Sequence, residues 1–184
     1  MEHIFNEPQF GENWFTYANF YSEMVRKFPS ESKFVEIGCW KGKSASCMAV
    51  EIANSGKKID FYCVDHWEGS SEHIGMGIDL STLYDTFKSN MDPVKDYYTD
   101  IKLNSVDAAA TFADETFDFI FIDAAHEYES VKNDISAWLP KLKVGGIISG
   151  HDYHHQPVRQ AVDENNFSDL QVNAAEDVWI YCKS

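Results

Sequence analysis

Two acids and two histidines follow the ends of two apolar segments, and their chemistry is that of proton transfer. Asp123 and His126 come after one apolar segment, and His151 and Asp152 come after the next. If these segments are neighbouring parallel strands, the side chains meet in one crevice, because the carboxyl ends of such strands open onto the same edge of the sheet. A histidine there can act as a general base, since its ordinary pKa lies near neutral pH. We therefore predict a catalytic site made of Asp123, His126 and His151.

A glycine loop follows the first predicted strand and is typical of a turn that binds a nucleoside. Gly38 and Gly42 flank Cys39, Trp40 and Lys41. In the dinucleotide-binding pattern G-x-G-x-x-G, the second glycine lets the backbone approach a pyrophosphate closely, and Trp40 stands at that position here. The bulk of Trp40 opposes a pyrophosphate. It does not oppose a ligand whose corresponding part is an amino acid.

Asp65 ends the second predicted strand and is the candidate ribose ligand. A carboxylate at this strand end can accept hydrogen bonds from both hydroxyls of a ribose. The alternative is a structural role, as a helix N-cap or a solvated loop acid. Because Asp65 stands at the strand end itself, we expect it to bind ribose.

The elements that must position these residues alternate between strand and helix. Strands are expected at 33–37, 59–64, 101–104, 117–122 and 147–149, and helices at 44–54, 80–90, 108–112 and 128–142. Two further segments, 170–172 and 178–181, are expected to form an antiparallel edge. The alternation predicts an α/β fold, a doubly wound and mostly parallel sheet with helices on both faces and an antiparallel C-terminal edge strand.

Two segments lie outside this alternation, and both are expected to border the site. Residues 13–28 carry aromatic and apolar side chains at helical spacing, so residues 1–30 are predicted to form a helical cap over the body or a pocket. Residues 66–100 form a long insertion after a strand end, where open α/β sheets bind ligands, and are predicted to be a lid or substrate wall. We expect residues 1–184 to form a single domain.

Composition and charge narrow the class of partner. The chain has 30 acidic and 15 basic residues and a net charge of -15. Such a surface repels phosphate backbones, so we expect a small-molecule substrate and no nucleic acid. The sequence contains neither a signal-peptide pattern nor an apolar run long enough to span a bilayer, and its four cysteines form no Cys-x-x-Cys pair. We therefore expect a cytoplasmic protein with reduced thiols and no membrane contact.

Four motifs together resemble those of class I S-adenosylmethionine-dependent methyltransferases. They are Val35-Glu36-Ile37-Gly38-Cys39-Trp40-Lys41-Gly42-Lys43-Ser44, Val64-Asp65-His66-Trp67-Glu68-Gly69, Phe121-Ile122-Asp123-Ala124-Ala125-His126-Glu127-Tyr128 and Gly145-Gly146-Ile147-Ile148-Ser149-Gly150-His151-Asp152-Tyr153. The similarity covers residues 33–153 and is strongest to the small "methyltransferase domain 24" group, relatives of catechol-type and antibiotic-tailoring O-methyltransferases. The resemblance implies a Rossmann-like fold, S-adenosyl-L-methionine as cofactor and methyl transfer to a small molecule, with a sugar or phenol-like hydroxyl as the expected acceptor.

The resemblance also implies which residues bind the cofactor, all of them at or just beyond strand ends. Those expected around its methionine part are Glu36, Gly38, Cys39, Trp40 and Gly42. Those expected around its ribose and adenine are Asp65 on the ribose, His66 or Trp67 against the adenine ring, and Ser105 and Val106 near the adenine edge. Asp123 is expected to border the cofactor as well.

A divalent metal is a further implication of the resemblance. Catechol-type enzymes hold a metal with an acid after the fourth strand and an acid-plus-amide pair after the fifth, positions at which this chain has Asp123 and the pair His151-Asp152. The imidazole departs from the oxygen ligands that Mg²⁺ prefers, so Mg²⁺, a transition metal and no metal all stay open. Either a metal activates the substrate hydroxyl, or His126 or His151 acts as general base.

Two other functions compete with methyl transfer. An NAD-dependent oxidoreductase shares the glycine loop and the ribose acid, but Trp40 counts against it. A non-catalytic nucleoside-binding domain would keep the fold, and the set of acids and histidines counts against that. His154 and His155 lie close to His151 in the chain, and we expect an ordinary loop there rather than a zinc site. Resemblance to dimeric relatives makes a homodimer a further expectation.

Overall fold

A computed structural model describes residues 1–11, 13–70, 75 and 79–184, and a seven-stranded sheet lies at its centre. The strands are β1 (Ser32–Ile37), β2 (Ile59–Asp65), β3 (Thr99–Lys102), β4 (Phe117–Ile122), β5 (Leu142–Gly150), β6 (Gln171–Asn173) and β7 (Val178–Cys182). Their order across the sheet is β3-β2-β1-β4-β5-β7-β6.

The pairing of the strands confirms the predicted doubly wound, mostly parallel sheet. The first five strands pair in parallel, whereas β7 pairs antiparallel with both β5 and β6. The predicted antiparallel C-terminal edge is thus confirmed. It consists of β7 and of β6, which is the outermost strand on that side of the sheet. The direction of winding reverses between β1 and β4, and open α/β sheets bind ligands at such a switch point.

Helices cover both faces of the sheet. They are α1 (Ala18–Lys27), α2 (Lys43–Ser55), α3 (Leu83–Met91), α4 (Ser105–Ala110), α5 (Tyr128–Trp138) and α6 (Gln156–Asp163), and short 3₁₀ segments occupy Pro8–Phe10, Asp92–Tyr97 and Leu139–Lys141. The first three α-helices pack on one face, and the last three pack on the other. The strands serve both layers because successive side chains alternate, as where Phe34 faces the first layer and Val35 the second.

The N-terminal helix is shorter than predicted. It begins at Ala18 instead of residue 13, and residues 13–17 are not helical. In this stretch the side chains of Thr16 and Tyr17 reach across to the ends of β5 and β4. The aromatic residues that suggested an amphipathic helix therefore belong in part to a segment that crosses the strand ends.

Two other differences lie near the C-terminus. β5 begins at Leu142 instead of residue 147, and within it the backbone of Gly145 and Gly146 is hydrogen-bonded to that of Lys183, the residue after β7. Helix α6 was not predicted. Its buried side chains are only Val158, Ala161 and Val162, too narrow a stripe to stand out in the sequence.

The insertion expected at residues 66–100 is described in part. It contains α3 and a 3₁₀ segment, and Phe87 and Met91 of α3 are buried in the core beside Gly42. Residues 71–74 and 76–78 lie outside the described residues, so the role of this insertion as a lid or substrate wall stays a prediction. No helix in the described ranges is long and apolar enough to cross a membrane.

Candidate active site

The glycine loop turns sharply at the end of β1. Gly38 has a φ of +88°, and its N–H donates to the carbonyl of Val64 over 2.9 Å. A Cβ at Gly38 would lie 2.1 Å from the carbonyl oxygen of Asp123. Only glycine therefore allows the loops after β1 and β4 to touch. Gly42, with a φ of +90°, is the N-cap residue of α2.

Asp65 holds this loop through its carboxylate. Its Oδ2 accepts hydrogen bonds from the backbone N–H groups of Cys39 (2.9 Å) and Trp40 (3.0 Å), and its Oδ1 accepts one from Trp67 (2.7 Å). Two carboxylate oxygens together offer about four lone-pair sites, so acceptor capacity is left for a ribose. Asp65 fixes the loop, and its role in ribose binding stays a prediction.

Glu36 lies in the core beneath the loop. It is completely buried and accepts hydrogen bonds from the Ser44 hydroxyl (2.5 Å) and the Tyr21 hydroxyl (2.9 Å). Burial raises the pKa of Glu36 to about 8, although these two hydrogen bonds act in the opposite direction. The carboxyl group thus ties β1 to α1 and α2.

A cavity of about 320 Å³ opens beside the ends of β1 and β2. Its lining includes four residues that were predicted around ribose and adenine, together with one buried acid: Asp65, His66, Ser105, Val106 and Asp134. We call it the nucleoside cavity, after the ligand that the resemblance implies.

Trp67 is placed differently from the other residues predicted around the adenine. It is buried, and it lines neither the nucleoside cavity nor the larger cavity that is described next. Its indole N–H donates to the carbonyl of Trp40 over 2.9 Å, and its ring packs against Phe87 with 4.6 Å between ring centroids. Trp67 supports the glycine loop from behind.

A larger cavity of about 690 Å³ lies on the other side of the loop. Its lining combines aromatic side chains with the acids and histidines after β4 and β5: Phe10, Trp14, Phe15, Tyr17 and Trp40, with Asp123, His126, His151 and Asp152. We call it the acceptor cavity, after the substrate that the resemblance implies. It shares Gly38, Trp40, Asp123 and Ala124 with the nucleoside cavity, so the two cavities meet at these residues.

Asp152 connects the two predicted catalytic histidines. Its Oδ2 lies 3.0 Å from Nε2 of His126 and 3.0 Å from Nδ1 of His151. Its φ of +60° is in the left-handed region, which aspartate tolerates better than most residues. Burial alone would raise the pKa of Asp152, but the hydrogen bonds from both histidines outweigh this effect and hold the pKa well below its ordinary value. The structure thus brings together the residues that were predicted from the two strand ends.

His151 and Asp123 are held by the N-terminal segment. Nε2 of His151 lies 2.9 Å from the Thr16 hydroxyl, and the Tyr17 hydroxyl donates to Oδ2 of Asp123 over 2.6 Å. Burial lowers the pKa of His151, but its hydrogen bond to Asp152 and the charges of Asp123 and Asp152 outweigh this, so the pKa is raised. Burial also raises the pKa of Asp123, with His151 opposing it.

Asp123, His151 and Asp152 can be tested for their fit to the metal implied by the resemblance. One ligand atom from each lies within 4.8 Å of the others, close enough to share an ion. An imidazole with two carboxylates suits a transition metal better than Mg²⁺. Both ring nitrogens of His151 already have protein partners, Thr16 and Asp152, so an ion would replace one of these contacts.

Several residues of the site were missed from the sequence. Tyr17 was assigned to one face of a predicted helix. The residues around Thr16 and Glu176 form no pattern that would indicate a role in the site. Glu176, in the turn before β7, accepts hydrogen bonds from the first N–H groups of α1 and borders the acceptor cavity. Asp134 did carry a signal, because it is an acid at helical spacing from Val131 on the buried face of α5.

Comparisons with known proteins show the family to which the chain belongs. A family model described as "Methyltransferase domain" matches residues 35–153. The curated protein y4gI of Sinorhizobium fredii, described as uncharacterised, is 25% identical over 120 residues, a match that covers 65% of this chain but only 13% of y4gI.

Solved structures show that the fold is shared. The O-methyltransferase NovP superposes with a TM-score of 0.69 at 18% identity, over 92% of this chain and 80% of NovP. A SAM-dependent O-methyltransferase from Thermotoga maritima gives a TM-score of 0.62 at 13% identity, over 90% of this chain and 64% of its own. Because the family model covers more than half of the sequence, the chain belongs to the methyltransferase-domain family and has the fold of class I S-adenosylmethionine-dependent methyltransferases.

Proposed function

We propose that this protein transfers a methyl group from S-adenosyl-L-methionine to a hydroxyl oxygen of a small molecule. The observation that carries the proposal is the junction of the two cavities at Gly38, Trp40, Asp123 and Ala124. A donor that filled the nucleoside cavity would present its sulfonium methyl at this junction. An acceptor in the larger cavity would then approach the methyl in line, and positioning of this kind supplies much of the catalysis.

The parts of the cofactor can be matched to the nucleoside cavity and to the glycine loop beside it. Asp65 would accept hydrogen bonds from the ribose hydroxyls, and Ser105 and Val106 would border the adenine. The methionine part would pass Gly38 and reach the start of α2, where Lys43 lines the acceptor cavity. The N–H groups and positive dipole end of that helix suit its carboxylate.

The walls of the acceptor cavity indicate the class of acceptor. The rings of Phe10, Trp14 and Phe15 suit a planar or carbohydrate ring, which aromatic side chains can cover. The acids and histidines of the same cavity can hold a hydroxyl group. The net charge of -15 disfavours a phosphorylated acceptor. We therefore propose a sugar or phenol-like compound without phosphate.

His126 is the residue proposed to take the proton from the acceptor hydroxyl. Its Nε2 lies 3.0 Å from Oδ2 of Asp152, and this carboxylate would stabilise the imidazolium formed when the ring takes up the proton. His151 and Asp123 would orient the hydroxyl beside it. A divalent ion held by Asp123, His151 and Asp152 would polarise the same hydroxyl and favour loss of its proton.

Binding and turnover together test this function. We expect calorimetry to show binding of S-adenosylhomocysteine but not of NAD, and radiolabelled S-adenosylmethionine to label phenols or sugars. The Asp123→Asn variant should lose transfer, whereas Asp114→Asn, which changes an exposed acid paired with Lys141, should keep it. Binding of NAD alone would overturn the proposal in favour of the oxidoreductase. Cofactor binding without transfer to any acceptor would favour the non-catalytic alternative.

A further inference from the structure

Asp134 is a buried acid to which the proposed transfer reaction assigns no role. It lies on α5 and is 5% exposed, and its neighbours Val131 and Ile135 pack into the core. A carboxyl group on a buried helix face costs free energy unless hydrogen bonds or a ligand compensate it. The position of Asp134 therefore needs an explanation beyond the packing of α5.

A hydrogen-bonded chain fixes Asp134 as an acceptor. The indole N–H of the fully buried Trp138 donates to the hydroxyl oxygen of Ser105 over 2.9 Å. An indole nitrogen only donates, so the hydroxyl hydrogen of Ser105 is left for another acceptor, and the interaction of this hydroxyl with the Asp134 carboxyl group lowers the pKa of Asp134 against the effect of burial. One donor uses only part of the acceptor capacity of a carboxylate. Burial raises the pKa of Asp134 to about 6, so the group is ionised at pH 8.

The remaining capacity of Asp134 borders the nucleoside cavity. Asp134 and Ser105 both line this cavity, as does Asp65 at the end of β2. With the ribose on Asp65, the base would extend towards the start of α4 and the buried face of α5. The 6-amino group of adenine is a hydrogen-bond donor and matches a carboxylate. The oxygen of a 6-oxopurine is an acceptor, and a site built for a donor rejects such an analogue strongly.

We propose that Asp134, positioned by Ser105 and Trp138, binds the 6-amino group of adenine and selects an adenosyl cofactor over a 6-oxopurine analogue. The inference rests on the proposed function, because it assumes that the cavity holds the nucleoside of S-adenosylmethionine. It adds a specificity-determining residue to that function. Asp134 acts on the choice of base and not on methyl transfer itself.

Two ligands that differ at position 6 of the purine, and in the hydrogen that a 6-oxopurine carries on N1, test the proposal. Calorimetry at pH 8 would measure the Kd of S-adenosylhomocysteine and of S-inosylhomocysteine, in which oxygen replaces the 6-amino group. We expect the wild type to prefer the adenosyl compound by about 10-fold or more. Asp134→Asn should bring this ratio close to one or reverse it, because an amide can donate to the oxo group. The matched control is Asp114→Asn, the same change at an exposed acid, which should keep the wild-type ratio.

A second variant tests the inference in case Asp134→Asn does not fold. Ser105→Ala keeps the carboxyl group but removes the hydroxyl that positions it, and should lower the ratio by at least about 3-fold, because a less well placed carboxylate makes a weaker hydrogen bond to the amino group. If the wild type binds S-adenosylhomocysteine and both variants keep its ratio, the role of Asp134 is overturned while the proposed cofactor stands. If the wild type binds neither compound, the proposed function itself fails. A wild-type ratio near one also contradicts the inference.

Discussion

The two cavities are built from different kinds of structure. The nucleoside cavity is formed by strand ends and by the starts of the helices that follow them, with Asp65 as the last residue of β2 and Ser105 at the start of α4. Part of the lining of the acceptor cavity also comes from strand ends, but the rest includes residues 10, 14–17 and 174–177, which lie towards the two ends of the given sequence. We therefore propose that the strand ends determine where the methyl donor binds, whereas the two terminal segments determine which acceptor is used.

The contact between Gly38 and Asp123 belongs to both cavities, so breaking it should have the largest effect. Gly38→Ala would place a methyl group 2.1 Å from the Asp123 carbonyl. We expect a loss of more than about 100-fold in affinity for S-adenosylhomocysteine, together with lower stability from overpacking, because displacements near 1 Å have costs of this size.

Gly56→Ala is the matched control for this change. Gly56 also has a positive φ, +67°, but a Cβ there meets nothing within 4 Å. It should lose only about 1–2 kcal/mol of stability from backbone strain and keep its affinity. Equal affinities of the two variants in calorimetry would contradict the role given to the Gly38 contact.

Replacing His126 should affect the acceptor side alone. His126→Ala removes the proposed proton acceptor, and we expect kcat to fall by about 10²- to 10⁴-fold. The Kd of S-adenosylhomocysteine should stay within about 2-fold, since His126 does not line the nucleoside cavity. Steady-state kinetics and calorimetry check both values, with His3→Ala, a histidine paired with Glu51 away from both cavities, as the control. An unchanged kcat would eliminate His126 as the base.

Tyr17 tests whether the N-terminal segment takes part in the acceptor site. Tyr17→Phe removes the hydroxyl that donates to Asp123 and keeps the ring. We expect kcat/KM for the acceptor to fall by about 10-fold, the equivalent of one hydrogen bond to a charged group. Tyr128→Phe, which removes a surface hydroxyl that contacts Glu164, is the control and should have wild-type kinetics. If both variants are equally active, residues 13–17 serve only to cover the core.

The choice of metal ion is a further property that belongs to the acceptor cavity alone. If an ion binds at Asp123, His151 and Asp152, the imidazole should make Mn²⁺ or Co²⁺ bind at least about 10-fold more tightly than Mg²⁺. His151→Asp gives an all-oxygen set and should narrow that preference. Calorimetric titration of chelator-treated protein measures both ratios. A wild type that prefers Mg²⁺ would contradict the assignment of the His151 imidazole as a metal ligand.

Glu36 provides the smallest and most indirect test. Its pKa in the folded protein is about 8, above the ordinary 4.5, so the folded state binds more protons than the unfolded state between these values. The stability of the wild type should therefore fall relative to Glu36→Gln as the pH rises from 5.5 to 7.5, by about 1 kcal/mol per pH unit. Urea unfolding at three pH values measures the slope. A difference that stays constant with pH would contradict the buried, protonated state of Glu36.

The sequence predicted the site residues at the strand ends, but it did not predict those that the N-terminal segment adds to the acceptor cavity. Gly38, Asp65 and Asp123 each stand directly after an apolar strand, so short-range pattern was enough to place them at one edge of the sheet. Tyr17 lies 106 positions from Asp123 in the chain, and Thr16 lies 135 positions from His151. No local pattern encodes contacts at such a distance, and the aromatic spacing of this segment suggested a helix instead.

We propose that donor and acceptor meet where the two cavities join, and a crystal structure with S-adenosylhomocysteine is the decisive measurement. We expect adenosine in the nucleoside cavity, with ribose on Asp65 and the adenine amino group at Asp134. The sulfur should lie between Gly38 and Asp123 and face the acceptor cavity. A nucleoside bound elsewhere, or a sulfur directed away from Asp123, would contradict it.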